Sequence, residues 1–330
     1  MDRQRGLVVL AFCGLAVAWG LNYPFVRVGL ETTPPLWLAF FRAGVGLLGV
    51  ALLSLWSSRR VIFVGRERRD ALLLGLLNTT LFFGLWFLGA SSVPPGETSV
   101  IIYTFPLWVS LLSAPLLHRS LGRMEWVSVL AGFLGIVLVT QVWTVLGPGS
   151  SPVALLEILG AAVSWALATV LFKRRFTGRT LWRANGYQLL GGTAGLLAAA
   201  LLLEPGGYGR PGVTLIGVVL YMGLIGTAIA YAIWFELLER FPAATLSNYT
   251  FAVPVVALVA SAFLFGERLS LVQAGGVALV ALGIFLTGRS SVRVPPPSDP
   301  HWNKPTAAAV SAWSSPGLVN RKPLPPSGRR

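Results

Sequence analysis

Long apolar runs, separated by short stretches of charged and polar residues, make up most of the chain. A helix needs about 20 largely apolar residues to cross the hydrocarbon core of a bilayer. The runs predict ten spans, at 7–28, 36–56, 71–90, 98–117, 124–142, 154–172, 181–203, 213–237, 244–265 and 271–287. The predicted fold class is therefore an all-α membrane protein with ten transmembrane helices.

Composition excludes several other classes of protein. Of the 330 residues, 55% are hydrophobic and 12% are charged, whereas soluble domains have roughly 25% charged residues. Cys13 is the single cysteine, so neither a disulfide scaffold nor a cysteine-based zinc site is expected. His118 and His301 lie too far apart in sequence to suggest a metal cluster, and there is no Walker-type phosphate loop. We predict no metal and no cofactor.

The net charge of +14 is distributed as membrane topology requires. Basic residues cluster between the spans, as at 66–69 and 173–175, so we expect no nucleic-acid binding. With a cytoplasmic N-terminus, every Lys and Arg except Arg27, Arg42, Arg210 and Arg268 falls on the cytoplasmic side. This asymmetry follows the positive-inside rule. It predicts a multi-pass inner-membrane protein with both termini in the cytoplasm.

The chain also repeats itself. The two halves share tryptophans, prolines and a basic position in register. At an offset of 148, Trp86-Phe87 matches Trp234-Phe235, Pro94 matches Pro242 and Pro106 matches Pro254; at 146, Trp19 matches Trp165 and Arg27 aligns with Lys173. Random apolar sequence would match Leu and Ala but not these residues. We interpret 1–142 and 154–288 as two five-helix repeats, joined by an external linker at 143–153.

An odd number of spans per repeat places the second repeat in the membrane with inverted topology. Many secondary transporters are built this way, with a substrate site between the halves near the bilayer midplane. Two similar halves that exchange conformations give inward-open and outward-open states. The repeat therefore predicts alternating access.

The two ends of the chain differ from the spans. A basic start followed by an apolar run resembles a signal peptide, but residues beyond the candidate cleavage site have counterparts in the second repeat, so we expect the first span to be retained. The tail, 289–330, is basic and proline-rich, and we predict that it is disordered in the cytoplasm. It is interpreted either as an inert extension or as a segment that contacts anionic lipids.

Polar and proline residues inside the spans are the first site candidates. Pro106 and Pro254 should kink or open the fourth and ninth spans, either as hinges beside the transport path or as packing kinks. Trp19 lies too deep for an interface anchor, and Asn22 should face the bundle because it needs polar partners. Arg42 is a candidate for binding an anionic substrate or for gating; the alternatives are an ion pair with Glu97 or outward snorkelling.

Aromatic side chains with polar atoms supply the remaining candidates, because they can form an apolar pocket or hold a cation over their faces. The predicted substrate-binding set is completed by Trp86, Tyr103, Trp165, Tyr231, Trp234, Asn248 and Tyr249. The alternative for each aromatic residue is simple core packing or contact with lipid. No Asp or Glu lies deep in a span, which weakens the case for strict proton coupling.

These features resemble those of EamA-type transporters of the drug/metabolite transporter superfamily. The resemblance covers about residues 7–288. Its motifs are Trp19-Gly20-x-Asn22 with Arg27 and Arg42 in the first repeat, and Gly226, Pro254, Gly266-Glu267-Arg268, Gly276 and Gly283 in the second. One departure is His118-Arg119, where the family often has Gly-Glu. The resemblance implies export or uptake of small metabolites, commonly amino acids, through a central cavity lined by spans one, three, four, six, eight and nine.

We therefore predict a secondary transporter, and not an enzyme, for small organic metabolites such as amino acids or amphiphilic compounds. Two alternatives stay open at this point. A carrier of triose-phosphate or nucleotide-sugar type would need several cations in its cavity, and a lipid-modifying membrane enzyme would need a catalytic cluster at headgroup level. The expected partners are a small-molecule substrate and membrane lipids, and the protein is expected to be a monomer or homodimer.

Overall fold

A computed structural model describes residues 3–56, 66–93, 95–118, 122–141, 143, 151–176, 179–209, 212–256, 259 and 270–291. Within these ranges all regular secondary structure is helical, which confirms the all-α fold class. Nearly all of the predicted linker and of the predicted tail lies outside the described residues, so those two predictions stay predictions.

The helices follow the predicted spans in order, and we label them α1 to α10. Their bounds are α1, Arg3–Gly20 and Asn22–Leu30; α2, Pro35–Trp56; α3, Arg66–Ala90; α4, Pro95–Ile102 and Phe105–Leu117; α5, Arg123–Thr140; α6, Pro152–Arg175; α7, Arg179–Leu203; α8, Val213–Arg240; α9, Ala243–Tyr249; and α10, Leu271–Ser291. After a turn at Thr250 and Phe251, residues 252–256 are again helical.

In the described part of the chain, eight helices, α1 to α8, are long and apolar enough to cross a membrane. The apolar part of α10 is shorter, at Leu271–Thr287, and the ninth predicted span continues past the described residues. Eight of the ten predicted spans are therefore supported. Several helices continue beyond the apolar windows into charged residues: α3 begins at Arg66 and α8 ends at Arg240. Such charged ends suit the polar headgroup region.

Two of the spans contain a π-helical turn, and the two turns occupy matching positions in the repeat. The turn in α3 covers Leu76–Leu81, and the turn in α8 covers Tyr221–Ile229. An offset of 148 places 76–81 on 224–229. Short π-helical turns inside α-helices frequently mark functional sites. Here they lie where each half of the chain contacts the other.

Glycines let these π-helical turns approach helices of the opposite repeat. A Cβ atom on Gly46 of α2 would lie 2.6 Å from Thr227 Cγ2, and one on Gly192 of α7 would lie 2.3 Å from Thr79 Cβ. The two contacts are repeat equivalents, because 46 and 192 differ by 146 and 79 and 227 differ by 148. Small residues at helix crossings allow this close packing in membranes.

Candidate functional site

Arg42 of α2 lies at the contact with the π-helical turn of α8. Its side chain is 1% exposed. Its Nε atom donates a hydrogen bond to Thr227 Oγ1 at 3.1 Å, and Nη2 makes a long contact of 3.5 Å with the carbonyl oxygen of Gly226. The guanidinium lies 4.2 Å from the ring centre of Phe83 and 5.2 Å from that of Trp86. Aromatic faces attract a cation in this geometry.

The charge of Arg42 has no ionic partner among the side chains that the structure describes. Its Nη1 atom is buried and also makes no hydrogen bond there. The predicted alternative, an ion pair with Glu97, lies outside the described side chains. A buried charge is costly unless a partner compensates it. Aromatic faces and carbonyl dipoles supply part of that compensation.

A group of tryptophans lies beside Arg42, where the two repeats meet. Trp19 and its repeat equivalent Trp165 contact each other edge to face, with ring centres 5.3 Å apart. Trp234 lies 5.4 Å from Trp19 and 5.8 Å from Trp165. Trp19 Nε1 donates to the carbonyl oxygen of Gly226 at 3.2 Å, so the same carbonyl faces both Trp19 and Arg42. The arrangement joins α1, α2, α6 and α8.

These residues surround a small central cavity of about 20 Å³, which is room for roughly one water molecule. Ten residues line it: Trp19, Asn22, Tyr23, Arg42, Phe82, Trp86, Ile102, Tyr103, Trp165 and Tyr231. Seven of them belong to the ten predicted substrate-binding residues, and Trp234 contacts two of the seven. Tyr23, Phe82 and Ile102 were missing from the predicted set. Phe82 and Ile102 carry no polar atom that would single them out, and Tyr23 has the character of an interface anchor.

A second, larger cavity lies at the end of the bundle where α1 and α3 end. It has a volume of about 500 Å³ and contains both Arg27 and Glu31. We call it the vestibule; its lining is Tyr23, Val26, Arg27, Leu30, Glu31, Trp86, Ala90, Ser91, Ser92, Val93 and Thr98. Tyr23 and Trp86 line the vestibule and the central cavity alike, and their ring centres are 5.5 Å apart. These two side chains therefore lie where the vestibule and the central cavity adjoin.

Two predicted site residues lie elsewhere. Asn248 is buried, and its Nδ2 atom faces Thr287 Oγ1 of α10 at 3.4 Å. The ring of Tyr249 packs against Phe12 with ring centres 4.5 Å apart. Neither residue lines either cavity. Their assignment to substrate binding remains a prediction, and the contacts favour a role in packing between helices.

The two predicted hinge prolines follow helix breaks. In α4 the helix stops at Ile102 and resumes at Phe105, one residue before Pro106. Pro254 follows the turn at Thr250 and Phe251. At each break a threonine hydroxyl donates to the carbonyl three residues earlier, from Thr104 to Ile101 at 2.7 Å and from Thr250 to Ser247 at 2.6 Å. The same two carbonyls accept the backbone N–H groups of these threonines, at 3.1 and 3.0 Å, so the hydroxyl groups add a second hydrogen bond to each turn.

The second repeat contains the counterpart of the Arg42 contact, with a neutral side chain in place of the arginine. Gln188 of α7 is the repeat equivalent of Arg42, since 188 and 42 differ by 146. Its Oε1 atom accepts hydrogen bonds from Thr79 Oγ1 at 2.7 Å and Asn78 Nδ2 at 3.1 Å. Arg42 and Gln188 therefore each contact the threonine of a π-helical turn. Only the first repeat places a cation there.

Apolar helices of spanning length around a small polar and aromatic cavity indicate an integral membrane protein, and comparison with known proteins specifies its class and family. Residues 6–141 and 152–289 each match the EamA-like transporter family. The chain belongs to this family, which confirms the predicted resemblance and the two-repeat architecture. Because the family and the named relatives are transporters, the protein is a multi-pass membrane transporter for a small molecule and not an enzyme.

Similar proteins align over nearly their whole length. The uncharacterized transporter YvbV of Bacillus subtilis is 29% identical over 88% of this chain and 94% of its own length. The uncharacterized inner membrane transporter YedA of Escherichia coli K12 is 28% identical over 89% and 97%. A probable amino-acid metabolite efflux pump of Salmonella typhimurium is 26% identical over 87% and 95%. One crystal structure shares the fold, with a TM-score of 0.71, 20% identity and coverage of 85% and 97%.

Proposed function

We propose that this protein carries small organic metabolites, such as amino acids or amphiphilic compounds, across the inner membrane by alternating access. The observation that carries the proposal is that Arg42, whose charge has no ionic partner among the described side chains, is buried beneath a vestibule of about 500 Å³. That volume falls in the usual range of small-molecule sites. The description of the Salmonella relative as an amino-acid metabolite efflux pump supports amino acids as the first compounds to test.

The structure supports a state that is open on one side. The central cavity is too small for a metabolite, whereas the vestibule is large enough, so a substrate reaches Arg42 only after Tyr23 and Trp86 move. With the N-terminus in the cytoplasm, as the positive-inside rule predicts, the vestibule faces the outside. Exchange of conformations between the two repeats then gives the inward-facing state.

A carrier of triose-phosphate or nucleotide-sugar type fits the cavity less well. Phosphate groups carry close to two negative charges at neutral pH, and their sites usually combine several cations. Arg42 is the single charged residue among those that line the central cavity. This composition favours a substrate with at most one negative charge at the buried end.

The first experiment is a thermal-shift screen of the purified full-length protein against amino acids, nucleosides, sugar phosphates and cationic amphiphiles. A ligand at 100 times its Kd stabilises a protein by about 2.7 kcal/mol, which raises the melting temperature measurably. Each hit is then tested for flux in proteoliposomes. We expect Trp19→Ala to impair that flux while the protein still inserts into the membrane. Flux that is unchanged in Trp19→Ala would remove the central cavity from the transport path.

A further inference from the structure

Four buried polar atoms that have no hydrogen-bond partner in the described part of the chain belong to residues that line the central cavity. They are Asn22 Oδ1, Arg42 Nη1, Trp86 Nε1 and Tyr231 OH. Buried polar groups in proteins are nearly always paired, so four exceptions around one cavity call for an explanation. In a transporter, groups that lack partners in the closed cavity are those that a substrate would satisfy.

The chemistry of the four atoms selects a ligand. Arg42 and Trp86 offer N–H donors and Tyr231 offers a hydroxyl donor, whereas the amide oxygen of Asn22 only accepts. One fixed positive charge with two neutral donors matches a carboxylate, which has two acceptor oxygens and one negative charge. The acceptor on Asn22, close to the ring of Trp19, suits a donor group or a cation beside that carboxylate.

We propose that Arg42, Trp86 and Tyr231 bind a substrate carboxylate, and that Asn22 accepts a hydrogen bond from a donor group next to it. This inference rests on the proposed function, because it assigns the chemistry of the same cavity. The aromatic lining contacts the apolar remainder of the substrate.

The test compares three probes on the full-length protein: L-phenylalanine, 3-phenylpropanoate without the ammonium group, and phenylalanine methyl ester without the carboxylate. Binding is measured by scintillation proximity, with labelled phenylalanine displaced by each probe. Loss of a hydrogen bond between charged groups weakens binding by about 10- to 100-fold. We therefore expect Arg42→Gln to raise the Kd of both acids by that factor and to leave the Kd of the ester nearly unchanged.

Arg42→Gln is suited to this test because glutamine occupies the equivalent position 188 and bonds the threonine there. Arg42→Lys keeps the charge and should lose less affinity, and Arg123→Gln removes an exposed arginine as the control. Equal loss for the acids and the ester overturns the carboxylate assignment. Failure of all three probes to bind also overturns it, whereas the proposed function still stands if another compound of the screen is transported.

An independent observation concerns Lys173, near the end of α6. Its Nζ atom donates hydrogen bonds to the carbonyl oxygens of Leu238 and, at 3.1 Å, of Glu239, in the last turn of α8. Residue 242 is a proline, so the carbonyl of Leu238 has no helical N–H four residues later. A cation beside the free carbonyls of a helix C-terminus is stabilising. Lys173 thus connects α6 to α8 by hydrogen bonds at the end of the bundle opposite the vestibule.

At the matching position of the first repeat, the basic side chain makes no such hydrogen bonds with the described residues. Arg27 aligns with Lys173, the carbonyls of Ala90 and Ser91 align with those of Leu238 and Glu239, and prolines at 94 and 95 remove both N–H donors that would bond them. Arg27, Ala90 and Ser91 all line the vestibule. Arg27 is exposed and makes no hydrogen bond or ion pair with the residues described here.

We propose that Arg27 and Lys173 are alternating latches. When the vestibule closes, Arg27 donates to the carbonyls of Ala90 and Ser91, and Lys173 releases the end of α8. Each latch stabilises the state in which its own side of the transporter is closed.

The test uses one reporter, Ser92→Cys in the vestibule, in a Cys13→Ser background. The rate of labelling by a membrane-impermeant maleimide measures the outward-open population in vesicles. A cation at a helix C-terminus shifts such an equilibrium by about 2- to 30-fold. We expect Lys173→Gln to lower the labelling rate by up to that factor and the double variant with Arg27→Gln to restore it.

Arg174→Gln is the matched control, because it removes the same charge one residue along α6 from an exposed side chain. Its labelling rate should equal that of the background. An unchanged rate in Lys173→Gln, or a further decrease on adding Arg27→Gln, overturns the latch proposal without affecting the carboxylate proposal.

Discussion

The substitution Gly226→Ala tests whether the central cavity is the transport site. A Cβ atom on Gly226 would lie 2.3 Å from Asn22 Oδ1, although ordinary contacts begin near 3.4 Å. The amide must therefore move by about 1 Å, into a cavity that holds roughly one water molecule. Overpacking of this kind costs about 1–3 kcal/mol. We expect Asn22 to fill the space beside Arg42, so substrate affinity and flux fall together.

Gly217→Ala, nine residues earlier in α8, is the matched control, because a Cβ atom there has nothing within 4 Å. Replacement of a helical glycine by alanine gains roughly 0.5–1 kcal/mol. That gain is similar in both variants, so their difference in unfolding free energy isolates the contact with Asn22. Melting temperature in detergent and flux in proteoliposomes are the two readouts. If Gly226→Ala matches Gly217→Ala in both, the cavity tolerates the methyl group and our placement of the substrate site is refuted.

Three further variants test the contacts between repeats by melting temperature. Thr79→Val removes the 2.7 Å bond to Gln188 and leaves a buried acceptor poorly satisfied, so we expect a loss of about 1–3 kcal/mol. Glu204→Gln weakens the cap on α2, where the carboxylate accepts from the N–H groups of residues 36 and 37 at 3.0–3.2 Å, and should cost about 1 kcal/mol. Gly276→Ala would place a Cβ atom 2.7 Å from the backbone nitrogen of Val139 and should destabilise by about 1–3 kcal/mol, whereas Gly275→Ala meets nothing within 4 Å and should not. Equal melting temperatures for the two alanine variants would show that α5 and α10 are not in close contact at Gly276.

Much of the site was predictable from the repeat. Trp19 and Trp165 occupy equivalent positions deep in two spans, and equivalent residues of a two-fold repeat meet only where they lie close to its axis. Their rings, with centres 5.3 Å apart, are such a pair. Arg42 was predictable for a different reason: a charge within a span is too costly to face lipid without a function or a partner. Sequence therefore identified the residues at the centre, where symmetry and desolvation both act.

The residues of the cavity lining that could not be predicted from the sequence depend on how each helix is rotated about its own axis. Hydropathy gives the length of a span but not the face that it presents to the bundle, because apolar residues suit lipid and protein alike. Phe82 lines the cavity, whereas Asn248 and Tyr249 turn towards other helices. The π-helical turns add a rotation of their own, since the wider turn shifts the register of every later side chain in α3 and α8. The sequence from Leu76 to Leu81 has no feature that predicts the π-helical turn of α3.

The contrast between Arg42 and Gln188 shows how a symmetric fold produces an asymmetric site. Both residues contact the threonine of a π-helical turn in the opposite repeat, so the duplicated geometry supplies two equivalent polar positions. Gln188 Oε1 accepts from Thr79 and Asn78 and its Nε2 atom donates to Asn185 Oδ1, whereas Arg42 keeps an Nη1 atom without a partner among the described residues. The second position is therefore a structural contact between repeats. The first retains a charge without an ionic partner among the described side chains, and it is this position that we propose binds the substrate carboxylate.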